Sequence, residues 1–134
     1  MLQPKKSKFR KAFRGRRSGV STRGNTVVFG DFGLKAVGTG WVTARELEAA
    51  RKKITFATKR AGKYWMRIFP DKPVTKKAVG VKMGSGKGDI DGYVAVVKPG
   101  MMLFEIGGVT LDVAKDAFGK AAHKLSVKTV VVGK

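Results

Sequence analysis

The first thirty residues of this chain contain no acidic side chain. Within Met1 to Gly24 stand nine cations: Lys5, Lys6, Lys8, Arg10, Lys11, Arg14, Arg16, Arg17 and Arg23. A segment like this cannot pair its own charges. It has no apolar period, and Gly15, Gly19 and Gly24 interrupt any regular element. Residues 1–24 therefore read as an extended basic arm, poorly ordered when free and ordered by a polyanionic partner. The plain alternative is a solvated tail. Phe9 and Phe13, set among the cations, favour binding, because rings stack on bases while cations hold phosphates.

The imbalance runs through the whole chain, with 29 Lys plus Arg against 9 Asp plus Glu and a net charge of +20 over 134 residues. Such a field is self-repulsive, and a polyanion relieves it. Other functions are excluded by what is missing. With no cysteine and one histidine there is no disulfide scaffold, no thiolate or multi-histidine metal site and no Cys nucleophile. No apolar run approaches the roughly 20 residues that span a bilayer, and no apolar segment follows the basic start as in a secretory signal. The expectation is a soluble intracellular domain, residues 25–134, preceded by the arm, with no membrane, small-molecule, cofactor or metal partner.

Along that domain, Asn25–Gly30 reads as a short strand and Gly30–Gly40 as a turn-rich stretch. Thr43 with Glu46 forms a capping box that opens a helix running to about Arg60, ended by Gly62. Leu47, Ala50, Ile54 and Ala57 form its apolar stripe. Arg45, Arg51, Lys52, Lys53, Lys59 and Arg60 make its other face basic. Lys63–Phe69 alternates as a little-exposed strand, with Arg67 on the same side as Trp65 and Phe69. Arg67 is placed to stack between rings or to reach the partner. Pro70 and Pro73 end this strand, and residues 75–91 read as a polar loop carrying Lys76, Lys77, Lys82 and Lys87, with Lys72 just before it.

Two strands follow, Tyr93–Lys98 and Met101–Ile106. Lys98-Pro99-Gly100 fits a type II turn, so the pair reads as a hairpin. A second helix begins near Thr110 and ends near Lys124. Its apolar set is Leu111, Val113, Ala114, Ala117, Phe118, Ala121, Ala122 and Leu125. Val127–Val132 is the last strand. Helices do not alternate regularly with strands, which points to an α+β fold with two helices on a largely antiparallel sheet.

The run Met83-Gly84-Ser85-Gly86-Lys87-Gly88 resembles a phosphate-binding glycine loop only superficially. Val81 stands where a P-loop needs its first Gly, and Gly88 where it needs Ser or Thr. No predicted helix begins there to add a positive N-terminus. A basic glycine loop can instead lie along an RNA backbone, since Gly lets the main chain approach closely and Lys82 and Lys87 supply charge. His123 sits near a helix C-terminus, where a cation is favoured, and no nucleophile motif accompanies it. Asp89 and Asp91 lack a third ligand pattern, so no catalytic residue is assigned.

Several runs carry a resemblance to a known family. Met1–Arg16 (MLQPKKSKFRKAFRGR), Arg23-Gly24-Asn25, Phe29-Gly30 and Phe32-Gly33-Leu34 resemble the opening of the universal L-sixteen/L-ten-e family of large-subunit ribosomal proteins. Thr43-Ala44-Arg45 with Glu48-Ala49-Ala50-Arg51 matches that family's first helix. Arg67-Ile68-Phe69-Pro70-Asp71-Lys72-Pro73-Val74-Thr75 is the most specific run. Met83-Gly84, Gly86-Lys87-Gly88, Val94–Gly100 and Ala121–Leu125 continue in register. Two positions depart from the family: Lys82 stands where an arginine, hydroxylated in some bacteria, is usual, and Asp91-Gly92-Tyr93 replaces Glu-Tyr-Trp.

The resemblance implies a hammerhead-type α+β domain in the ribosome of the cytoplasm. It would be bound to 23S rRNA and other large-subunit proteins, near A-site tRNA and the RNA leading to the peptidyl-transferase centre. It also implies a part in late assembly and no catalysis by the protein itself. The residues assigned to rRNA are the arm's Lys5, Lys6, Lys8, Phe9, Arg10, Lys11, Phe13, Arg14, Arg16, Arg17 and Arg23, then Arg45, Arg51, Lys52, Lys59, Arg60, Arg67, Lys72, Lys76 and Lys77. Lys82 to Gly88 form the segment nearest tRNA. A free RNA chaperone or regulator is the alternative from another class, and a metal-dependent nuclease using Asp89 or Asp91 a third.

Overall fold

Two threonines start the two helices. In the computed structural model, which describes residues 1–134, α1 (Ala44–Ala57) begins behind Thr43, whose Oγ1 accepts the Glu46 N–H at 3.1 Å. The reciprocal half of the capping box is redirected, because Glu46 Oε2 accepts the Ser126 N–H at 2.9 Å instead. The N-cap thereby ties the start of α1 to the segment after the second helix. That helix, α2 (Leu111–Ala122), begins at Thr110, whose Oγ1 accepts the Val113 N–H at 3.4 Å.

α1 stops before the expected Arg60. Thr58 caps it, its Oγ1 donating to the Ile54 carbonyl at 3.0 Å, and Lys59 and Arg60 turn left-handed with φ of 52° and 63°. Gly62, also at positive φ, passes so near Gly107 that any Cβ would collide with its carbonyl oxygen. The buried stripe of α1 is Ala44, Leu47, Ala50 and Ile54, while Ala57 from the expected stripe is only half-buried at the helix end. α2 buries only Ala114, Ala117, Phe118 and Ala121, and Leu111 and Val113 from the expected set are 44% and 36% exposed. A helix resting on one partner buries about one face, and these two residues lie outside it.

Seven strands form two antiparallel sheets. The strands are β1 (Phe32–Ala36), β2 (Gly40–Thr43), β3 (Lys63–Met66), β4 (Lys72–Lys76), β5 (Asp89–Val97), β6 (Met102–Gly107) and β7 (Thr129–Gly133). One sheet has the order β3-β6-β1-β7 and the other β2-β5-β4. The α+β expectation holds, while the strand list needs several corrections. Asn25–Gly30 is not a strand: the N–H groups of Val28, Phe29 and Gly30 go to the Glu105 carboxylate rather than to a neighbouring chain. The first strand lies in the stretch read as turns.

Lys98-Pro99-Gly100 does make the turn, with a 3.2 Å bond from Met101 N–H to Lys98 O and Gly100 at φ 93°. It does not make a hairpin. The Gly100 N–H and the Met101 carbonyl are both taken by Ala36, so β6 swings over to β1 while β5 stays with β2 and β4. The expected Lys63–Phe69 strand ends at Met66 and lies at a sheet edge, which leaves Lys63 and Tyr64 exposed. The real hairpin is β4–β5, so the expected loop shortens to residues 77–88.

One core joins these parts. Leu34, Val42, Leu47, Ile54, Val97, Phe104, Ile106 and Phe118 belong to a single buried cluster drawn from both sheets and both helices. All the long basic segments lie outside it.

Candidate nucleic-acid interface

Strand register builds the seat for the arm. Trp41 lies opposite Val96 and Lys72 opposite Val94, so the pleat puts Trp41 and Lys72 on one face of β2-β5-β4. Val42, Ala95 and Val97 point the other way, into the core. The arm crosses the outer face. The Arg14 and Arg17 guanidinium carbons lie 5.9 and 5.4 Å from the Trp41 ring centre, and Lys72 Nζ lies 5.1 Å from it. Lys72 also donates to the Arg14 carbonyl. Three cations thus share one indole, while Trp41 Nε1 and Arg17 Nε are buried without an acceptor in the protein.

The arm carries no regular element and most of its charge faces outward. Lys5, Lys6, Lys8, Arg10, Arg14, Arg16 and Arg23 are exposed, as are the rings of Phe9 and Phe13. Its far end is tied down, the Ser21 N–H donating to Pro99 O at 2.9 Å and the Met102 N–H to Gly24 O at 2.8 Å. Lys11 Nζ donates to Lys87 O at 3.3 Å, which brings arm and glycine loop together.

The loop projects from the β4–β5 hairpin. Lys77 Nζ braces it from inside by donating to Gly84 O at 2.6 Å. Gly84, Ser85 and Gly86 all take positive φ, a coil that only glycine adopts freely. Gly88 backs onto the Lys76 main chain, where a Cβ would lie 2.8 Å from the carbonyl. Lys76, Lys82 and Lys87 are exposed, and Met83 at the tip is 99% exposed.

The outer face of α1 forms a third basic surface. Arg45, Lys52, Lys53, Lys59 and Arg60 are exposed there. Arg51 is half-buried and bonds Glu48 at 2.9 Å. That hydrogen bond holds the Glu48 carboxyl below its ordinary value and raises Arg51.

Arg67 is placed differently from the other assigned cations. Its guanidinium pairs with Glu105, donates to Thr26 O at 3.2 Å and lies 5.2 Å from the centre of the Phe29 ring, which stacks on Trp65. Glu105 is fully buried, and its Oε1 accepts the Val28, Phe29 and Gly30 N–H groups at 2.8, 2.8 and 3.0 Å. Burial alone would push this carboxyl up. The Gly30 N–H, the Arg67 guanidinium and the other two N–H groups outweigh burial and hold it below its ordinary value.

Two residues here escaped the sequence reading. Glu105 shows only as a lone acid inside an apolar strand, and Trp41 only as an aromatic in a four-residue strand after a glycine. His123 is the exposed C-cap of α2. No three His, Asp or Glu side chains come together, and no helix is long and apolar enough to cross a membrane.

Comparison with known proteins agrees with this geometry. The chain is 55% identical over 132 residues to the large ribosomal subunit protein uL16 of Stenotrophomonas maltophilia (strain R551-3), covering 98% of this chain and 96% of that relative. The family model described as ribosomal protein L16p/L10e matches residues 4–132, from the arm through β7. The chain belongs to the ribosomal protein L16p/L10e family.

Proposed function

We propose that this protein is a structural constituent of the large ribosomal subunit in the cytoplasm. It binds 23S rRNA through the arm, the α1 face and the β4–β5 loop, beside other large-subunit proteins, and carries out no catalysis itself. Lys82 to Gly88 form the part nearest A-site tRNA and the peptidyl-transferase region. The arm and loop together support late assembly and tRNA positioning. The observation that carries this reading is the Lys11–Lys87 contact. It joins two cationic segments, remote in sequence, into one surface outside the core. Phosphates neutralise such a surface, and Phe9 and Phe13 offer stacking faces.

Arg67 stands apart within the assigned set, because the acid it pairs with is fully buried. Its pairing with Glu105 supports an indirect role, positioning residues 26–30 beneath the interface, with RNA contact left to its neighbours.

The test is sedimentation of a lysate on a sucrose gradient after a high-salt wash, with this chain quantified in each fraction. One copy per large subunit supports the reading. Confinement to light fractions overturns it in favour of a free RNA chaperone. If about six to ten phosphates are contacted, affinity falls about 10³–10⁵-fold between 50 and 200 mM salt.

A further inference from the structure

Phe56 is a full aromatic ring that α1 leaves 75% exposed. Side chains three and four residues away on a helix are its surface neighbours. Here those before it are Lys52 and Lys53, and the turn that follows brings up Lys59 and Arg60. The left-handed backbone at Lys59 and Arg60 is uncommon for residues with a Cβ. It folds the chain back, with the Lys59 N–H on Phe56 O and the Arg60 N–H on Thr55 O, both at 3.2 Å. Arg51, Lys52, Thr55, Lys59 and Arg60 then frame an open groove of about 520 Å³ beside the ring. Glu48, the acid on this part of the helix, is engaged by Arg51. The chain's three ion pairs include none of Lys52, Lys53, Lys59 or Arg60.

An unpartnered ring inside a ring of unpaired cations selects for a ligand that is flat and anionic at once. The carboxylates of an acidic protein segment would answer the cations but not the ring. A nucleotide offers a π face to the ring and phosphates to the cations. We propose that Phe56 is a stacking platform for one unpaired RNA base, with Lys52, Lys59 and Arg60 holding the phosphates on either side. This rests on the rRNA-binding reading and adds an aromatic contact to it. Phe has no polar atom, so the contact carries affinity without reading base identity.

The experiment titrates labelled full-length chain onto large-subunit particles from cells depleted of it, at several salt concentrations. Stacking predicts that Phe56→Ala weakens binding about 5- to 100-fold with no change in the salt slope. Phe56→Tyr restores it, while Lys52→Ala lowers the slope by about 0.7. Because the ring is exposed, thermal melts of all three match the wild type, which separates binding from folding. Equal affinity for wild type and Phe56→Ala overturns the proposal. A photoreactive Phe56→benzoylphenylalanine chain cross-links to RNA on this reading. Cross-linking only to a neighbouring protein overturns it. If the wild-type chain itself fails to bind the particles, the ribosomal reading falls, which is a different result from loss of the Phe56 contact alone.

Discussion

The Arg67 guanidinium meets the Glu105 carboxylate just beyond the end of β3, and Glu105 is fully buried. Three main-chain N–H groups from residues 28–30 converge on the same carboxylate. One side chain of β6 thus anchors both the strand beside it and the segment that leaves the arm. Removing one member of a buried charged cluster strands the rest, at a cost of about 3–5 kcal/mol. Glu105→Ala is expected to lower the melting temperature by roughly 10–20 °C, read by calorimetry. An unchanged melting temperature would mean the freed donors find other acceptors.

Acid sensitivity follows from the same carboxyl. Its folded pKa lies below its unfolded value, so its contribution to stability is complete above about pH 4.3 and is lost as pH falls through the folded pKa. Glu48 is also held low by Arg51, but as a surface pair it adds little. Melting temperature plotted against pH should fall more steeply below pH about 4 in the wild type than in Glu105→Gln. Parallel curves would remove Glu105 as the titrating group.

The helices were legible because their signals are local. Thr43 caps α1 as expected, α2 starts at Thr110 where a start was expected, and spacings of three and four marked Leu47, Ala50 and Ile54. Strand pairing was not legible, because it depends on distant partners. Val27 to Phe29 look like a strand, yet the N–H groups of residues 28–30 are satisfied by Glu105, far along the chain. β4 contains Pro73 and survives only because it is an edge strand, where a missing N–H is tolerated. The exposed cations of the candidate interface were visible because charge does not depend on fold. Trp41 and Phe56 were not, because whether a ring is core, seat or platform is decided by what packs on it.

Trp41 faces away from the core and holds Arg14, Arg17 and Lys72 on its ring. Each such contact is worth about 0.5–1 kcal/mol. Trp41→Ala should therefore release the arm without unfolding the domain. Limited trypsin digestion followed by mass spectrometry should show cleavage at Arg14, Arg16 and Arg17 faster by on the order of tenfold. Equal rates would mean the indole does not hold the arm.

The loop and the arm are expected to separate assembly from folding. Lys82 and Lys87 are exposed, so their joint replacement by Ala should change stability by less than about 0.5 kcal/mol. It should nonetheless impair tRNA accommodation or delay late subunits. Deleting residues 1–17 should strongly reduce incorporation into large subunits. Unchanged gradient profiles and translation rates in both variants would sink these roles.

Pairing of Phe32 with Gly133 and of Ala36 with Thr129 sets an order of events during synthesis. The partner that completes β1 is made last, so the four-stranded sheet cannot close until nearly all of the chain has emerged. The cationic arm is made before every strand and helix, and is for that time a polycation attached to an unfinished domain. The arm's own seat lies on β2-β5-β4, whose strands are complete by Val97, so the arm can dock there before β1 receives β7.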